Sequence, residues 1–449
     1  MYKLKLAMRY FLKRRISILA IAAIALCVFI VVVVMSVMIG LVNDFKEKNH
    51  NYSGDCVVHS ESMVGFAYYE DFVSELEKQD FVYGVSPVID GFGLLRRPNT
   101  DDNLGIQIRG INPKKHSMAT GFGQTLYYYK DNPGDAFVSL VNPNLPGLVI
   151  GISIIYRSDS MGEYHHFEIP PVKEFEITCF PLNAMGGLAK GGADITNSRV
   201  FAYSDDTHSG LVKVDGGMIY LPFDETQKMF EMGGSVKRIN SVHIKFSEGV
   251  SVDEGTARVA AMWDKHVERN KDKKYANLFD NVSVEDWFRY RREIIAGMQK
   301  EQTMLTILFS MLGVITVFVI FVVFYMIIGH KTRDIGIMKS IGVSSSSVVS
   351  IFLLFAGMIG IVGAAIGAAG GCIVLYNMNE IEAWVFKTFH WQPWNRAVYA
   401  IGEIPHDIEP DVIGVIAACA VGASLLGALV PALQAGLKRP VEVLQVNQV

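Results

Sequence analysis

Four stretches without a single charged residue constrain this chain more than any other feature. Each is longer than the ~20 residues that an α-helix needs to cross the hydrocarbon core of a bilayer. Helices of a soluble core rarely stay uncharged over such lengths. We therefore predict four transmembrane helices, TM1 to TM4, within the uncharged residues 16–42, 303–329, 340–379 (helix 348–376) and 412–437 of the 449-residue chain.

Basic residues beside the spans predict the orientation of the chain. The segments 1–15, 330–339 and 438–449 hold 11 of the 41 Lys and Arg residues but only two of the 45 Asp and Glu residues. Lys and Arg beside a span are retained in the cytoplasm, so both termini, 1–15 and 438–449, are predicted to be cytoplasmic. TM1 is too long for the apolar core of a cleaved signal peptide and is interpreted as a signal anchor.

The segment between TM1 and TM2, 43–302, has the composition of a folded extracytoplasmic domain. Alternating β-branched residues with flanking Gly and Pro predict strands and a helix near both of its ends, in mirrored order. We expect an αβ module that the chain leaves and re-enters. Its parts are 50–111 and 236–290, with a mainly β insert at 112–235 and a charged helical stalk at 288–302.

The predicted fold class is therefore an α-helical membrane protein with four transmembrane helices and a large α+β extracytoplasmic domain inserted between helices 1 and 2. Whether the stalk transmits movement or is only a solvated connection stays open at this point. The short segment 377–411 between TM3 and TM4 contains Trp384, Trp391 and Trp394. Since aromatic residues favour the membrane interface, we expect a periplasmic loop resting on the outer leaflet or on a neighbouring subunit.

Within the insert, residues 156–175 are predicted to form a protruding hairpin. Two adjacent prolines at its tip would stiffen it and deny it ladder hydrogen bonds. The tip residues are Glu168, Ile169, Pro170 and Pro171. His165 and His166 follow each other, and adjacent strand residues point to opposite faces, so no metal site is predicted. A disulfide between Cys56 and Cys179 is left open, since their separation cannot be read from sequence.

The cytoplasmic connection between TM2 and TM3, 330–347, is predicted to contain a short amphipathic helix. Ile335, Met338 and Ile341 recur every third residue and form an apolar stripe. Such a helix would offer hydrophobic side chains to a groove on a cytoplasmic partner, although it could instead lie in the lipid headgroups. The candidate coupling residues are Arg333, Asp334, Ile335, Gly336, Met338, Lys339, Ile341 and Gly342.

Glycines at four-residue spacing predict close helix packing inside the membrane. They are Gly363, Gly367 and Gly371 of TM3, together with Gly422 and Gly427 of TM4. The spans contain no Asp, Glu, Lys or Arg, so the ionisable relay of an ion-coupled pump is missing. A phosphate-binding G-x-x-x-x-G-K-[ST] loop is also missing, and no nucleophile with its base is evident. We therefore predict no catalytic residues and an energy source outside this chain.

The order of one span, a large domain and three further spans resembles the MacB/FtsX/LolC-type ABC transporter permeases. The segment 333–342, RDIGIMKSIG, resembles the coupling helix of that family, commonly R-E-I-G-I-L-R-A-I-G. Pro431-Ala432 and the segment 440–444, PVEVL, resemble its C-terminal ending. Trp287, followed by MQKE at 298–301 and MLTIL at 304–308, is most similar to the lipoprotein-releasing LolC/LolE branch.

This resemblance implies partners and cofactors. In the LolC/LolE branch, two permease subunits and a dimeric cytoplasmic ABC ATPase release lipoproteins from the bacterial inner membrane to a periplasmic carrier. We therefore expect a transport subunit and not an enzyme, with no cofactor on this chain and ATP with Mg on the partner ATPase. A second permease subunit, identical or related, membrane lipids and a carrier at the predicted hairpin are the other implied partners.

Two alternatives stay open: an FtsX-like transmembrane regulator of a cell-wall hydrolase and a MacB-like efflux permease. MacB carries its ATPase fused at the N-terminus, whereas 15 residues precede the first span here. The domain outside is net acidic, so nucleic acid is not an expected partner.

Overall fold

The structure is a computed structural model that describes residues 15–97, 103–159, 162–166, 172–189, 195–391 and 403–437. It consists of two compact units. The membrane unit comprises 1–43, 297–393 and 404–449, and the inserted domain comprises 44–296 and 394–403.

The helices and strands of the described residues are numbered here in chain order. The first half contains α1 (Arg15–Ser53), β1 (Cys56–Ser60), β2 (Phe66–Ala67), α2 (Tyr69–Leu76), β3 (Val82–Arg96), β4 (Asn103–Ile111), α3 (Pro113–Ala119), α4 (Phe122–Thr125), β5 (Gly147–Gly151), α5 (Ile152–Ile155), β6 (Glu174–Cys179) and β7 (Asn197–Thr207). The second half contains α6 (Val212–Gly217), β8 (Met218–Pro222), α7 (Phe223–Met229), β9 (Arg238–Ile239), β10 (Ser241–Phe246), α8 (Val252–Asn270), β11 (Val282–Asp286), α9 (Trp287–Tyr290), α10 (Arg292–His330), α11 (Thr332–Ser340), α12 (Ser345–Tyr376), α13 (Met378–Phe389) and α14 (Pro410–Leu437).

Four helices of the described chain are long and apolar enough to cross a membrane: α1, α10, α12 and α14. Their side chains meet in one buried cluster that includes Ile24, Phe324, Phe355 and Ala428. The Ser424 hydroxyl of α14 also donates a hydrogen bond to the Ala356 carbonyl of α12 at 2.7 Å. Lipid offers little hydrophobic drive for helix association, so close fit and such hydrogen bonds hold the helices together. With the α/β domain between α1 and α10, the predicted fold class is confirmed.

The inserted domain is built on one nine-stranded sheet among the described residues, in the order β11-β1-β10-β3-β4-β8-β5-β7-β6. An additional pairing of β6 with β3 closes the last six strands into a ring. The ring is filled by apolar side chains such as Phe175, Phe201 and Ile219. Helices α2 and α8 cover the open part of the sheet, where Phe72 and Trp263 are buried against each other.

Strand β3 belongs to both parts of this domain. Its first half, residues 82–88, pairs with β10, and its second half, residues 89–96, pairs with β4. At about 3.3 Å per residue, a strand of this length is long enough to cross both parts. The predicted boundary between the αβ module and the insert at residue 112 therefore does not separate two sheets.

The two cysteines of the inserted domain are buried in different strands and form no disulfide. Cys56 lies on β1, whereas Cys179 lies on β6 opposite Gly93 of β3, and β10 stands between β1 and β3. Neighbouring strands are ~4.8 Å apart, which places the two cysteines beyond the ~7 Å Cα limit for a disulfide. Burial raises the pKa of the Cys56 thiol to about 12. Cys56 therefore stays an unreactive thiol at neutral pH.

The segment expected to be a periplasmic loop between TM3 and TM4 contains helix α13, Met378–Phe389. Its apolar residues Ile381, Trp384, Val385 and Phe389 recur at intervals of three and four, which is a helical period. The sequence prediction gave weight to the aromatic composition of this segment and missed that spacing. The Asn379 side-chain oxygen accepts a hydrogen bond from the Ile404 backbone N–H at 2.9 Å, which joins the two described ends of the connection.

Candidate functional site

Helix α11 is a separate, sharply terminated helix between α10 and α12. It ends at Ser340, and Gly342 two residues later has a φ of 99°, the left-handed conformation that suits glycine. The Val343 and Gly342 N–H groups donate to the Met338 and Lys339 carbonyls at 3.1 Å each, the two hydrogen bonds of a Schellman C-cap. The Ser344 hydroxyl then accepts from the Ser347 N–H and caps α12. The turn between α11 and α12 is thus fixed on both sides.

The apolar stripe of α11 faces mainly into the membrane unit. Ile335 is fully buried in a cluster with Phe352 of α12 and Ala432 of α14, and Met338 packs against the same cluster. The prediction of Ile335 and Met338 as outward-facing side chains is corrected accordingly. The periodicity identifies a stripe, but it does not say which neighbour the stripe covers.

The outward face of α11 consists of Ile337 and Ile341. Ile337 is 43% exposed and Ile341 is 80% exposed. They are four residues apart, so they lie on the same side of the helix. Ile337 was missed because the every-third-residue pattern from Ile335 skips it. A spacing of four counted back from Ile341 would have found it.

The described charged side chains of α11 act within the membrane unit. The Lys339 ammonium donates to the Gly436 carbonyl at 2.7 Å, at the C-terminal end of α14, where the helix dipole favours a cation. Asp334 forms an ion pair with Lys331. Gly336 is buried, and the side chain of Arg333 lies outside what the structure describes. Lys339 and Ile335 therefore fix α11 to α12 and α14.

The predicted packing glycines contact different helices. A Cβ on Gly367 would lie 2.4 Å from the Ala25 carbonyl oxygen, and Gly363 and Gly371 also face α1 at under 3 Å from its side chains. Gly427 faces α10, where a Cβ would lie 2.7 Å from the Val317 carbonyl oxygen. Gly422 has no neighbouring atom within 4 Å of such a Cβ among the described residues.

Gly422 instead lines an apolar cleft of about 730 Å³ between α1, α10 and α14. The cleft is bounded by side chains such as Met35, Phe309 and Val415. Asp411, at the start of α14, is the one charged side chain among the described residues that line it. A cleft of this composition suits hydrocarbon and not a solvated ion.

The base of the predicted hairpin is held by His166. Its ring stacks on Tyr127 with centroids 3.5 Å apart, and its Nε2 lies 3.0 Å from an oxygen of the buried Asp206. His165 pairs instead with Asp159 at 3.0 Å, so the two adjacent histidines contact different carboxylates. The predicted tip residues Glu168, Ile169, Pro170 and Pro171 lie outside the described residues.

Inside the inserted domain, a buried polar cluster joins the end of α1 to the start of the stalk. Arg109, 1% exposed, forms a two-point ion pair with Asp90 at 2.7 and 3.2 Å, and its guanidinium lies 4.6 Å from the ring centre of Tyr52 on α1. Arg291 also lies over the Tyr52 ring, 4.8 Å from its centre. Its Nε donates a hydrogen bond to the Asn49 side-chain oxygen at 2.9 Å. Tyr52, from the start of the inserted domain, thus lies beside both the buried Arg109 and Arg291 from the end of the domain.

Two buried histidines beside this cluster make the stability of the inserted domain depend on pH. Burial lowers the pKa of His243 to about 3, helped by the nearby positive charge of Arg109. His243 Nδ1 donates to the Ser53 carbonyl at 2.7 Å, which places the proton of the neutral ring on Nδ1. Burial likewise lowers the pKa of His116 well below its usual value. Both histidines are therefore neutral in the folded protein and bind protons only when it unfolds.

We expect the free energy of unfolding to fall as the pH decreases below ~6.5, by on the order of 1 kcal/mol per pH unit for each of these histidines. Asp205 has the opposite effect on the free energy of unfolding. Burial raises its pKa to about 6, so as the pH decreases the folded state binds this proton before the unfolded state does. Burial also lowers the pKa of His266, which acts with the two histidines, and raises the pKa of Asp215, which acts with Asp205. Three histidines outweigh two carboxyls, so the net slope stays destabilising. The free energy of unfolding of His243→Asn can be measured in detergent by tryptophan fluorescence from pH 7 to pH 5. It should decrease less steeply with decreasing pH than the free energy of unfolding of the parent chain. An unchanged slope would contradict the assignment to His243.

Residues 306–438 match the family model described as FtsX-like permease C-terminal. The chain contains an FtsX-like permease domain. This domain includes α11, the packing glycines and two of the three walls of the apolar cleft. The predicted recognition of the MacB/FtsX/LolC-type permeases is confirmed, and the protein is an ABC transporter permease, a multi-pass protein of the inner membrane and a transport subunit.

Similar proteins extend over nearly the whole chain. The lipoprotein-releasing system transmembrane protein LolC of Neisseria meningitidis serogroup B is 20% identical over 435 residues, which cover 96% of this chain and 94% of that protein. LolC of Xylella fastidiosa (strain Temecula1) is 23% identical over 437 residues, with the same coverage of 96% and 94%.

Among solved structures, the periplasmic region of MacB from Actinobacillus actinomycetemcomitans is 13% identical, with a TM-score of 0.31, and covers 54% of this chain and 93% of that one. The extracellular domain of the noncanonic ABC-type transporter YknZ from Gram-positive bacteria is also 13% identical, with a TM-score of 0.28. The match covers 52% of this chain and 98% of that one.

Proposed function

We propose that this permease couples ATP hydrolysis on a separate cytoplasmic ATPase, which binds the ATP and Mg, to movements of the inserted domain in the periplasm. The termini and α11 lie in the cytoplasm, as the basic residues beside the spans favour. The permease works with a second permease subunit, identical or related. Its substrate class is lipoproteins, which it releases from the inner membrane, and the LolC names of its relatives support this choice.

The outward face of α11 carries the proposal of coupling. Ile337 and Ile341 are exposed, while Ile335 and Lys339 fix the same helix to α12 and α14. Ile337 and Ile341 can therefore enter a groove of the ATPase. Because α11 is fixed to α12 and α14, a movement of the ATPase is then transmitted to these two membrane-spanning helices. Helices α1 and α10 are each continuous into residues of the inserted domain, which gives that movement a route outward.

The apolar cleft supports a lipid-anchored substrate. Its lining is uncharged apart from Asp411 in the part that the structure describes, and Asp411 is exposed at the start of α14, so an acyl chain can enter against apolar side chains. The acyl chain of such a substrate already lies in hydrocarbon, so its transfer into an apolar cleft costs little free energy. We propose that a periplasmic carrier then receives the lipoprotein at the segment predicted from sequence to form a hairpin, whose predicted tip residues are Glu168, Ile169, Pro170 and Pro171.

We expect Ile341→Asp to weaken ATPase binding by roughly tenfold or more, because an isoleucine buried at an interface contributes ~1.5–3 kcal/mol. Stimulation of the ATPase by the permease in vesicles should fall to near the level of the ATPase alone. The thermal stability of the permease should stay unchanged, since Ile341 is exposed.

Ser340→Asp is the matched control, because it places the same charge on an exposed position of α11 beside the Ile337–Ile341 face. It should retain stimulation. Normal stimulation by Ile341→Asp, or equal loss in both variants, would argue against this face as the coupling surface.

An FtsX-like regulator of a cell-wall hydrolase is the second candidate function, favoured by the family model at residues 306–438. Vesicles that contain the permease, the ATPase and a radiolabelled lipoprotein separate the two. ATP-dependent transfer of the lipoprotein to a soluble carrier supports release. Retention of the lipoprotein, together with binding of a peptidoglycan hydrolase to the full chain, would support the regulator.

A further inference from the structure

Helix α13 and its flanks present an unusual set of large apolar side chains on the surface of the membrane unit. Tyr376, Trp384, Phe389 and Trp391 are between 60% and 82% exposed, and Ile381 is 41% exposed. Five such side chains within sixteen residues exceed what a water-facing surface of a soluble protein normally shows. This segment therefore has an occupant other than water.

The position of α13 along the chain limits what that occupant is. Helix α12 crosses the membrane and ends at Tyr376, and α13 begins two residues later at Met378. Leu375 is buried in the cluster of the four spans, and Met378 packs against that cluster. The start of α13 is thus held at the end of the bundle, on the side of the membrane opposite α11, at the depth where the span leaves the hydrocarbon.

The exposed side of α13 has the chemistry of an interfacial helix. Ile381, Trp384 and Thr388 recur at intervals of three and four, so they share one side, with Glu380 and Lys387 exposed beside them. Tryptophan and tyrosine favour the headgroup level, and a lysine can extend its ammonium to lipid phosphates. Trp384 and Phe389 also contact each other edge to face at 6.0 Å, which gives this side a continuous aromatic surface.

We propose that α13 lies in the headgroup region of the leaflet opposite α11, with Ile381 and Trp384 inserted among the lipids. The occupant of this surface is the bilayer itself, because the surface continues directly from a membrane-spanning helix. Lipid contact at α13 fixes the depth of the α12 end and of the connection to α14. The inference depends on the membrane assignment and is independent of lipoprotein release and of ATPase coupling.

Tryptophan quenching by brominated lipid tests this on the full chain. The protein is reconstituted in phosphatidylcholine vesicles with bromine at carbons 6 and 7 of one acyl chain, and its fluorescence is compared with that in unbrominated vesicles. Trp384→Phe keeps an aromatic ring at an exposed position and is expected to fold. We expect this variant to lose part of the bromine-quenched emission. Trp287→Phe, a matched change in the inserted domain, should leave the bromine-quenched emission intact.

Iodide on both sides of the membrane distinguishes the other outcomes. If the Trp384 emission escapes bromine but is quenched by iodide, α13 faces water and the proposal fails. If neither quencher reaches Trp384, a second copy of the chain or a partner subunit covers it, and the proposal also fails. Loss of lipoprotein release in a separate assay would leave this result unaffected.

Discussion

Replacement of Arg109 by methionine is expected to destabilise the inserted domain by up to roughly 3–5 kcal/mol, because it leaves Asp90, whose side chain is only 20% exposed, without its partner. The guanidinium makes two hydrogen bonds to Asp90 and lies on Tyr52, and almost none of it is exposed. Urea unfolding of the detergent-solubilised chain, followed by tryptophan fluorescence, measures the change. Trp263 and Trp287 both report on the inserted domain.

A double variant separates the charge from the packing. Asp90→Val with Arg109→Met removes both charges, and replacing a buried ion pair by apolar groups is often nearly neutral. It should therefore recover most of the stability that Arg109→Met loses. If the double variant is as unstable as the single one, the shape and cation–π contact of Arg109 matter more than its charge.

Arg269→Met is the exposed control. Arg269 forms an equally well aligned two-point pair with Glu75, at 2.6 and 2.7 Å, but its side chain is 54% exposed. Surface pairs contribute about 1 kcal/mol or less. A loss at Arg269 that matched the loss at Arg109 would contradict the role of burial.

The second large effect is expected at Gly367, where α12 touches the backbone of α1. A Cβ would lie 2.4 Å from the Ala25 carbonyl oxygen and 2.8 Å from the Val28 Cβ, closer than van der Waals contact allows. Gly367→Ala should cost about 1–3 kcal/mol through this overpacking, and Gly367→Leu should force α1 and α12 apart. Thermal melting and size-exclusion profiles of the detergent-solubilised protein measure both effects.

Gly422 provides the matched substitution in the same membrane unit. No described atom lies within 4 Å of a Cβ at this position. Gly422→Ala and Gly422→Leu should therefore leave melting and the size-exclusion profile close to those of the parent chain. Equal damage at both glycines would mean that the loss comes from glycine itself and not from the contact with α1.

Much of the fold follows from local signals in the sequence. The uncharged stretches locate all four spans, because the cost of a charge in hydrocarbon leaves a clear pattern. They do not locate the helix ends, since α10 begins at Arg292 and carries charged residues before its span. The strand and the helix predicted near the end of the inserted segment are present as β10 and α8, since each shows its own period.

Features that depend on distant neighbours were not predicted. The pairing of β6 with β3 closes the ring of strands, but no local pattern in either strand specifies its partner. The burial of Ile335 follows from how α11 sits on α12 and α14, which its own period does not encode. Ile337 therefore entered the candidate coupling surface only once the packing of α11 was visible.

The position of β1 at the centre of its part of the sheet has a consequence for biosynthesis. Cys56 of β1 pairs with Ile244 of β10 and with Asp286 of β11, which are made much later. At ~5–20 residues per second, the ribosome needs on the order of 10 to 45 s to reach the last of these strands. Throughout that interval at least one edge of β1 stays unpaired, and unpaired edges attract other strands. A nascent chain of this permease therefore carries an open strand edge, and with it a tendency to pair with other chains, until residue Asp286 has emerged.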